Sequence, residues 1–300
     1  MHRPRLTELH RHLDGSLRRA TLDDLGRAAG VAVPDDLGFR AGMGLEAALA
    51  CFEITLATLQ TPAAVRRVAD EMCVDAATEG VEHLEIRFAP QLHRGAKIEA
   101  IVDAALEGVD GRASLILCGL YGEPPALLER LVEVATPRPG VVGLDLAGGP
   151  TPTQSWSLED YAPAFTRARD RGLGRTVHAG EGRPPAEIRV AVEALHAQRI
   201  GHGTSLLDDP AVLDLVLRRG VTIEACPTSN LHTGVIARAD AHPLPRWLDL
   251  GVRVALCTDN TLLSAVDLPT ERARAAALPG MTPARLAATD RHAAEARFTR

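Results

Sequence analysis

Three histidines and one aspartate stand at positions where their side chains could together hold a metal ion. His10 and His12 are separated by a single residue, His178 lies near the end of a short apolar run, and Asp259 follows another. In a β-strand, side chains two residues apart project from the same face, so His10 and His12 can point into one cavity. Imidazole nitrogens with one carboxylate suit Zn²⁺, and a coordination position left for water makes such a site catalytic.

Two more polar residues near these positions could move protons or orient a reactant. Glu181 comes three residues after His178, where a carboxyl group could act as acid and base in turn. His202 lies between Gly201 and Gly203, whose small size would let a ligand or water approach closely. The alternatives are a solvated loop glutamate and a packed histidine that bonds a backbone carbonyl.

Eight short strand-like runs place these residues. They cover residues 6–13, 83–90, 113–120, 141–147, 175–179, 199–203, 222–226 and 252–258. Helix-forming stretches rich in Ala, Leu, Arg and Glu separate most of them, which is the alternation expected of a parallel sheet. Eight such units predict a (β/α)8 TIM barrel whose strands end at one rim, where barrel enzymes carry their chemistry. We therefore expect residues 1–300 to form a single barrel domain.

The connection after the first strand is unusually long. Residues 15–82 contain three predicted helices, at 21–30, 44–59 and 62–79. An insertion at this position would lie over the catalytic rim and could exclude water from the site. Near the other end of the chain, Thr282 and Pro283 have the types expected of a helix cap and first turn.

Composition narrows the class of protein and its partners. The chain has 300 residues, 46% of them hydrophobic and 24% charged, with a net charge of -6, which argues against a general nucleic-acid partner. Five scattered cysteines predict reduced thiols rather than disulfides. The first residues lack a signal-peptide pattern and no apolar run reaches eighteen residues, so we expect no membrane association and a cytoplasmic location. The oligomeric state is left open.

Several other residues receive a structural interpretation. Cys226 is expected to be a buried strand thiol, and the absence of a CxxC pair excludes the zinc nucleobase deaminases that combine HxE with PCxxC. Arg87 is expected to be an inward charge paired with Glu85 or Asp145. The remaining histidines are interpreted as surface or incidental, namely His2, His83, His93, His196, His232, His242 and His292.

Taken together, six motifs resemble the adenosine deaminase family of metal-dependent amidohydrolases across nearly the whole chain. They are residues 8–15 (ELHRHLDG), 143–148 (GLDLAG), 176–181 (TVHAGE), 199–203 (RIGHG), 224–230 (EACPTSN) and 258–260 (TDN). The resemblance implies a TIM barrel that hydrolytically deaminates a purine nucleoside at C6.

The resemblance also implies a role for each site residue. His10, His12, His178 and Asp259 would hold one Zn²⁺ per chain, which lowers the pKa of a bound water. Asp259 would also accept a hydrogen bond from that water, and His202 would orient it. Glu181 would protonate ring N1 so that ammonia can leave from a tetrahedral intermediate.

Three further residues of the motifs would contact the substrate, together with His12. The Gly148 backbone would bind purine N3, and Asp14 would bind a ribose 5′-hydroxyl, whereas free-adenine deaminases have a glutamate there. Asn260 replaces an aspartate often found in the family, and its amide can donate to N7.

Other functions remain open. The site could act on a 5′-modified adenosine such as aminodeoxyfutalosine, on free adenine, or on another ring amine or amide. A catalytically inactive nucleoside-binding barrel is the alternative from a different class, although every expected catalytic residue type is present.

Overall fold

In a computed structural model, which describes residues 6–149 and 155–300, eight parallel strands form one sheet in chain order. The strands are β1 Leu6–His12, β2 Val81–Phe88, β3 Ser114–Leu120, β4 Val141–Ala147, β5 Gly174–Ala179, β6 Arg199–His202, β7 Thr222–Ala225 and β8 Arg253–Leu256. Each strand pairs with the next along the chain. All eight predicted strands are present, with ends that differ from the prediction by at most two residues.

The sheet closes where the first strand meets the residues that follow the last strand. The backbone N–H of His12 donates to the carbonyl of Asp259 (2.8 Å), and the N–H of Asp259 donates to the carbonyl of His10 (2.9 Å). Arg11 and Asp259 form the corresponding parallel bridge. The protein is therefore a (β/α)8 TIM barrel, as predicted, and its closing hydrogen bonds involve the candidate metal ligands themselves.

Helices surround the barrel. They are α1 Arg19–Ala29, α2 Leu45–Thr58, α3 Pro62–Glu79, α4 Ile98–Val109, α5 Pro125–Ala135, α6 Ala162–Asp170, α7 Ala186–Glu193, α8 Pro210–Arg219, α9 Pro227–His232, α10 Leu244–Asp249, α11 Leu268–Ala276 and α12 Pro283–Glu295. The hydroxyl of Thr282 accepts from the N–H of Arg285 (3.2 Å), and Pro283 begins α12. The predicted helix start is thus confirmed, because the cap satisfies an otherwise unpaired amide.

The connection between β1 and β2 contains the three predicted helices, α1 to α3, within two residues of the expected bounds. The stretch before α2 reaches across to the loops that follow β7 and β8. There Phe39 donates its N–H to the Leu263 carbonyl (2.5 Å), and Gly42 donates to the Leu231 carbonyl (3.0 Å). These bonds hold the insertion against the segments that follow β7 and β8, on the side of the barrel mouth where the sheet closes.

The centre of the barrel contains charged side chains as well as apolar ones. Arg87 bonds Asp145 and Glu224, each at 2.8 Å, whereas Glu85 pairs with Arg199 (2.6 Å). All five are at most 1% exposed. Of the two partners considered for Arg87, the structure selects Asp145 and adds Glu224. Because buried charges are costly unless they are paired, this network fixes the positions of its members.

The cysteines and the apolar helices bear on two further expectations. All five cysteines are free, and four of them, including Cys226, are buried. No single helix of the described residues is long and apolar enough to cross a membrane; α2 and α3 meet those criteria only as a pair bent by 116°.

Glu271 gives a prediction for stability. This buried glutamate of α11 accepts from the N–H of Thr228 in α9 (2.8 Å), and burial raises its pKa from 4.5 to about 7. Between pH 4.5 and about 7, the folded protein therefore keeps a proton on Glu271 that the unfolded chain has lost. Its free energy of unfolding falls as the pH rises through this range. Glu271→Gln should remove up to about 3 kcal/mol of that decline.

Urea denaturation between pH 5 and pH 9 would measure this effect. Glu193→Gln, on the exposed side of α7, controls for the loss of one negative charge. Parallel stability curves for the Glu271→Gln variant and the wild type would contradict the assignment.

Candidate active site

Four candidate metal ligands meet at the C-terminal ends of the strands. The Nε2 atoms of His12 and His178 are 3.3 Å apart, and Oδ1 of Asp259 lies 3.5 Å from Nε2 of His10 and 3.4 Å from Nε2 of His12. Clusters of His, Cys, Asp and Glu that are tight enough for a metal ion occur, within residues 6–149 and 155–300, only at this place. The structure therefore brings together residues that are up to 249 positions apart in the chain.

The separations within the cluster match those between ligands of a single zinc ion. Zinc–nitrogen bonds of about 2.0–2.1 Å in tetrahedral geometry correspond to ligand separations of about 3.3–3.4 Å. The Nε2 atom of His10 is buried and has no hydrogen-bond partner, as expected of a nitrogen that is reserved for a metal. Burial lowers the pKa of His10, but the negative carboxylates of Asp259 and Glu224 beside the ring outweigh burial and raise it overall. The same carboxylates would attract a metal cation.

Buried carboxylates orient two of the histidines from the barrel interior. Nδ1 of His10 lies 2.7 Å from Oε2 of Glu224, and Nδ1 of His178 lies 3.2 Å from Oδ1 of Asp145. Arg87 joins the two carboxylates, and together with Arg199 it holds the pKa of Glu224 well below its usual range despite burial. Each ring thus donates from Nδ1 and presents an unprotonated Nε2 to the cluster, which is the arrangement that metal binding needs.

Glu181 and His202 lie beside the cluster. Both are buried, and Nε2 of His202 is 3.8 Å from Oε2 of Glu181. The hydroxyl of Thr233 contacts the other carboxylate oxygen (3.3 Å). Burial lowers the pKa of His202 to about 4, so the ring is neutral near pH 7. A carboxyl group that could transfer protons and a neutral imidazole therefore lie next to each other at the cavity wall.

A cavity of about 220 Å³ opens above these residues. Its polar side includes Asp14, Gly148 and Asn260, and α2 contributes an apolar side. The apolar lining residues are Phe39, Leu45, Ala48, Leu49, Phe52, Leu56, Ala89, Leu92, Leu120 and Ala147. A mostly apolar lining with a few polar groups suits a small molecule whose flat ring packs on the apolar side while the polar groups fix its orientation.

Two polar side chains of the wall have unused hydrogen-bonding capacity. Oδ1 of Asp14 and Oδ1 of Asn260 are buried without partners. Burial also raises the pKa of Asp14 to about 7. Gly15 is required here, because a Cβ at this position would collide with the Asn260 side chain. An unpaired buried oxygen is costly unless a ligand completes it, so Asp14 marks this wall as a binding surface, whereas Oδ1 of Asn260 faces Gly15.

Some of the interpretations from sequence need correction. His242 and His93 are buried rather than surface residues: His242 bonds Asn230, and His93 bonds the Leu59 carbonyl. The space beside Gly201 is filled by the His10 ring, because a Cβ there would lie 3.0 Å from Cε1 of His10. His2 lies outside the described residues.

Sequence reasoning also missed the contacts that Glu224 and Asn230 make with the site histidines. Asn230 contacts His202 at 3.0 Å, and Glu224 contacts His10 as described above. Glu224 could have been found from its position in β7, where Thr222 and Glu224 alternate with apolar residues and therefore face one side. Asn230 lies in a short helix after that strand and offered no such signal.

The fold and the site together define a TIM-barrel hydrolase whose imidazoles and carboxylates suit a metal ion. The chain belongs to the adenosine deaminase family, since the family model described as adenosine deaminase matches residues 4–300. It is therefore a hydrolase that acts on C–N bonds, in a family for which metal dependence is typical. Membership supports the deamination of adenosine-like substrates.

Similar proteins include curated relatives and solved structures. An adenosine deaminase of Serratia proteamaculans is 36% identical over 94% of this chain and 90% of its own length. One from Klebsiella pneumoniae is 37% identical over 92% of this chain and 88% of its own. The crystal structure of an N6-mAMP deaminase of Arabidopsis has a TM-score of 0.88 at 26% identity and covers 99% of this chain and 94% of that one.

Metal affinity should depend on Glu224 through its bond to His10. Glu224→Gln keeps the shape of the side chain, but the amide can no longer both accept from the His10 ring and balance two arginines. Loss of such a supporting contact lowers metal affinity by about 10- to 100-fold. Zinc affinity measured by competition with a chelator would test this expectation.

Glu85→Gln is the matched control, because Glu85 is another buried carboxylate that binds Arg199 but contacts none of the ligand histidines. It should reduce stability while it leaves zinc affinity unchanged. An equal loss of zinc affinity in both variants would show that barrel stability, rather than the His10 contact, is responsible.

Proposed function

We propose that this protein is a zinc-dependent adenosine deaminase, which hydrolyses the C6–amine bond of adenosine to give inosine and ammonia. The observation that carries the proposal is the position of the histidine–aspartate cluster, Glu181 and His202 at one end of a cavity that is also lined by Asn260 and by Asp14, one oxygen of which is buried without a partner. A metal site, a proton-transfer group and open purine contacts thus share one small cavity.

His10, His12, His178 and Asp259 are the residues that would hold the ion, one per chain. What zinc supplies when bound is a lowered pKa of water, so that hydroxide is available near neutral pH. Asp259 also has a second carboxylate oxygen with which to accept a hydrogen bond from the attacking water. His12 lines the cavity too, so its ring would border the substrate as well as the ion.

Proton transfer falls to Glu181. Its carboxyl group would give a proton to purine N1, which makes C6 more electrophilic, and would later take part in proton transfer to the departing amine. His202 lies within 3.8 Å of this carboxylate, where it can stabilise charge that develops on the oxygen added at C6. Hydroxyl addition at C6 and loss of the amine then give ammonia and the keto product.

The ring and the sugar would be held by the opposite wall. The Gly148 backbone lies where it could donate to N3, and the Asn260 amide could donate to N7. Asp14 would accept a hydrogen bond from the ribose 5′-hydroxyl, which gives its partnerless oxygen a donor.

We further infer that the substrate is a nucleoside and not a nucleotide. Among the described residues that line the cavity there is no lysine or arginine, whereas Asp14, Glu53, Glu181 and Asp259 contribute carboxylates. A 5′-phosphate would therefore meet negative charge without a cationic partner, which is unfavourable in a partly desolvated site. Free adenine, in turn, would leave Asp14 unpaired.

An absorbance assay of zinc-loaded protein would test the proposal, with ammonia release as a second readout. The panel contains adenosine, 2′-deoxyadenosine, adenine, AMP, N6-methyl-AMP and a 5′-modified adenosine such as aminodeoxyfutalosine. We expect fast turnover of the unmodified nucleosides and little of the nucleotides. Turnover of a 5′-modified nucleoside alone would move the specificity to that alternative, and binding without turnover would favour an inactive nucleoside-binding barrel.

Glu181→Gln should separate proton transfer from metal binding. The amide cannot deliver a proton to N1, so kcat should fall by about 10²- to 10⁴-fold. Zinc content, measured by elemental analysis, should stay near one ion per chain, because Glu181 is not among the proposed ligands. Loss of zinc from this variant would make Glu181 a ligand instead.

Asp14→Ala should lower kcat/KM for substrates that carry a 5′-hydroxyl. A hydrogen bond to a charged group contributes about 1.5–3 kcal/mol, so kcat/KM for adenosine should fall by about 10- to 100-fold. The matched substrate is 5′-deoxyadenosine, for which wild type and variant should differ little. An equal fall for both substrates would remove the 5′-hydroxyl from the role given to Asp14.

A further inference from the structure

Behind His202 runs a chain of buried hydrogen bonds that leads away from the cavity. Nδ2 of Asn230 lies 3.0 Å from Nδ1 of His202, and Oδ1 of Asn230 lies 3.3 Å from Nε2 of His242. The far end is the backbone N–H of Leu244, which donates to Nδ1 of His242 (3.1 Å). The three side chains are at most 4% exposed, and the roles proposed so far use neither Asn230 nor His242.

The backbone N–H of Leu244 determines which atom donates and which accepts in each of these hydrogen bonds. A backbone N–H can only donate, so Nδ1 of His242 must accept from Leu244 and carries no proton. A neutral imidazole protonated on one nitrogen then has its proton on Nε2. The rings of Trp247 and His242 pack in a T-shaped arrangement with their centroids 5.5 Å apart, which holds the plane of the His242 ring.

The same reasoning assigns the donor and acceptor atoms of Asn230 and His202. Because Nε2 of His242 donates, the atom of Asn230 that faces it must be the amide oxygen. The amide nitrogen then faces His202 and donates to its Nδ1. A proton on Nδ1 of His202 would oppose an N–H group of Asn230 and leave two buried donors without acceptors. The remaining ring nitrogen of His202, Nε2, is the one on the side of Glu181.

We propose that Asn230 and His242 are positioning residues that hold His202 as the neutral tautomer with its proton on Nε2, directed at the reacting atoms. This inference rests on the proposed deaminase function for its catalytic meaning, although the tautomer itself does not depend on the substrate. His202 and Glu181 would then have different roles. With Nε2 protonated and Nδ1 occupied, His202 can donate a hydrogen bond but cannot accept a proton from water, so proton transfer is left to Glu181.

The local backbone supports this arrangement. His202 adopts a left-handed conformation (φ +66°), and Asn230 belongs to α9, whose N–H at residue 230 donates to the Cys226 carbonyl (2.9 Å). A left-handed non-glycine residue is costly and persists where its surroundings hold it. The hydrogen bond from Asn230 is one of the contacts that hold the ring.

The test is nitrogen NMR of zinc-loaded protein with ¹⁵N-labelled histidine, in which proton-bearing and bare ring nitrogens have distinct shifts. The His202 signals are assigned by their loss in His202→Asn. In the wild type, Nε2 of His202 and Nε2 of His242 should bear protons, and both Nδ1 atoms should be bare. A proton on Nδ1 of His202 in the wild-type protein would overturn the proposal whatever the substrate proves to be.

Three variants test the chain link by link. Asn230→Asp offers only acceptors, so the proton of His202 should move to Nδ1, and kcat should fall on the order of 10²-fold while KM and zinc content change little. His242→Asn keeps an acceptor for Leu244 but has no donor that reaches Asn230, so His202 should show a mixture of tautomers. His242→Gln can place an amide N–H at the Nε2 position and should restore the wild-type tautomer.

His292→Asn is the matched control. Nδ1 of His292 also accepts a backbone N–H, from Val254 (3.1 Å), but this histidine lies in α12 and is not joined to His202. It should leave the His202 signals and kcat unchanged. If Asn230→Asp and His242→Asn keep the proton on Nε2, or if His242→Gln lowers kcat as much as His242→Asn, the two residues are structural and the proposal fails.

Discussion

The Arg87 guanidinium, buried at the centre of the barrel, is the interaction on which the site depends. It bonds Asp145 on one side and Glu224 on the other, and these two carboxylates hold the rings of His178 and His10. Without the arginine, two buried negative charges would face each other across the barrel, and burial would drive them to take up protons. The metal cluster is therefore supported by a charge balance in the interior as much as by the rim loops.

The chemistry at the rim could be predicted from the sequence because its signals are local. His10 and His12 share a strand, and Glu181 follows His178 by three residues, so period-two and loop arguments suffice. The links behind them could not be predicted, since Glu224 and His10 are 214 residues apart in the chain, and the contact of His242 with Asn230 depends on how the segment between β7 and β8 folds. His242 had no motif of its own and was wrongly interpreted as incidental. A pairing between distant residues becomes visible only when the barrel brings them together.

The cavity agrees with family membership and indicates which of its parts would determine substrate specificity. The similar proteins include an adenosine deaminase and an N6-mAMP deaminase, whose names differ in the groups attached to the adenine ring, so discrimination would come from the part of the cavity that meets those groups. In this cavity α2 contributes the apolar side that faces such an attachment in our proposal, and α2 belongs to the insertion rather than to the regular barrel. Specificity can thus vary through the insertion while the metal cluster stays the same. The single-domain organisation and the cytoplasmic location stay predictions.

The closure of the barrel at His10, His12 and Asp259 links the metal site to the order in which the chain is synthesised. The two histidines are synthesised about 250 residues before the aspartate, as their positions in the sequence show. A nascent chain therefore carries imidazoles that lack both their carboxylate and the last strand's edge. Because the two ends meet through contacts of very long sequence separation, docking of the final strand should come late in folding. An ion that binds only the closed barrel would then stabilise the product of this last step and shift the folding equilibrium toward the native state.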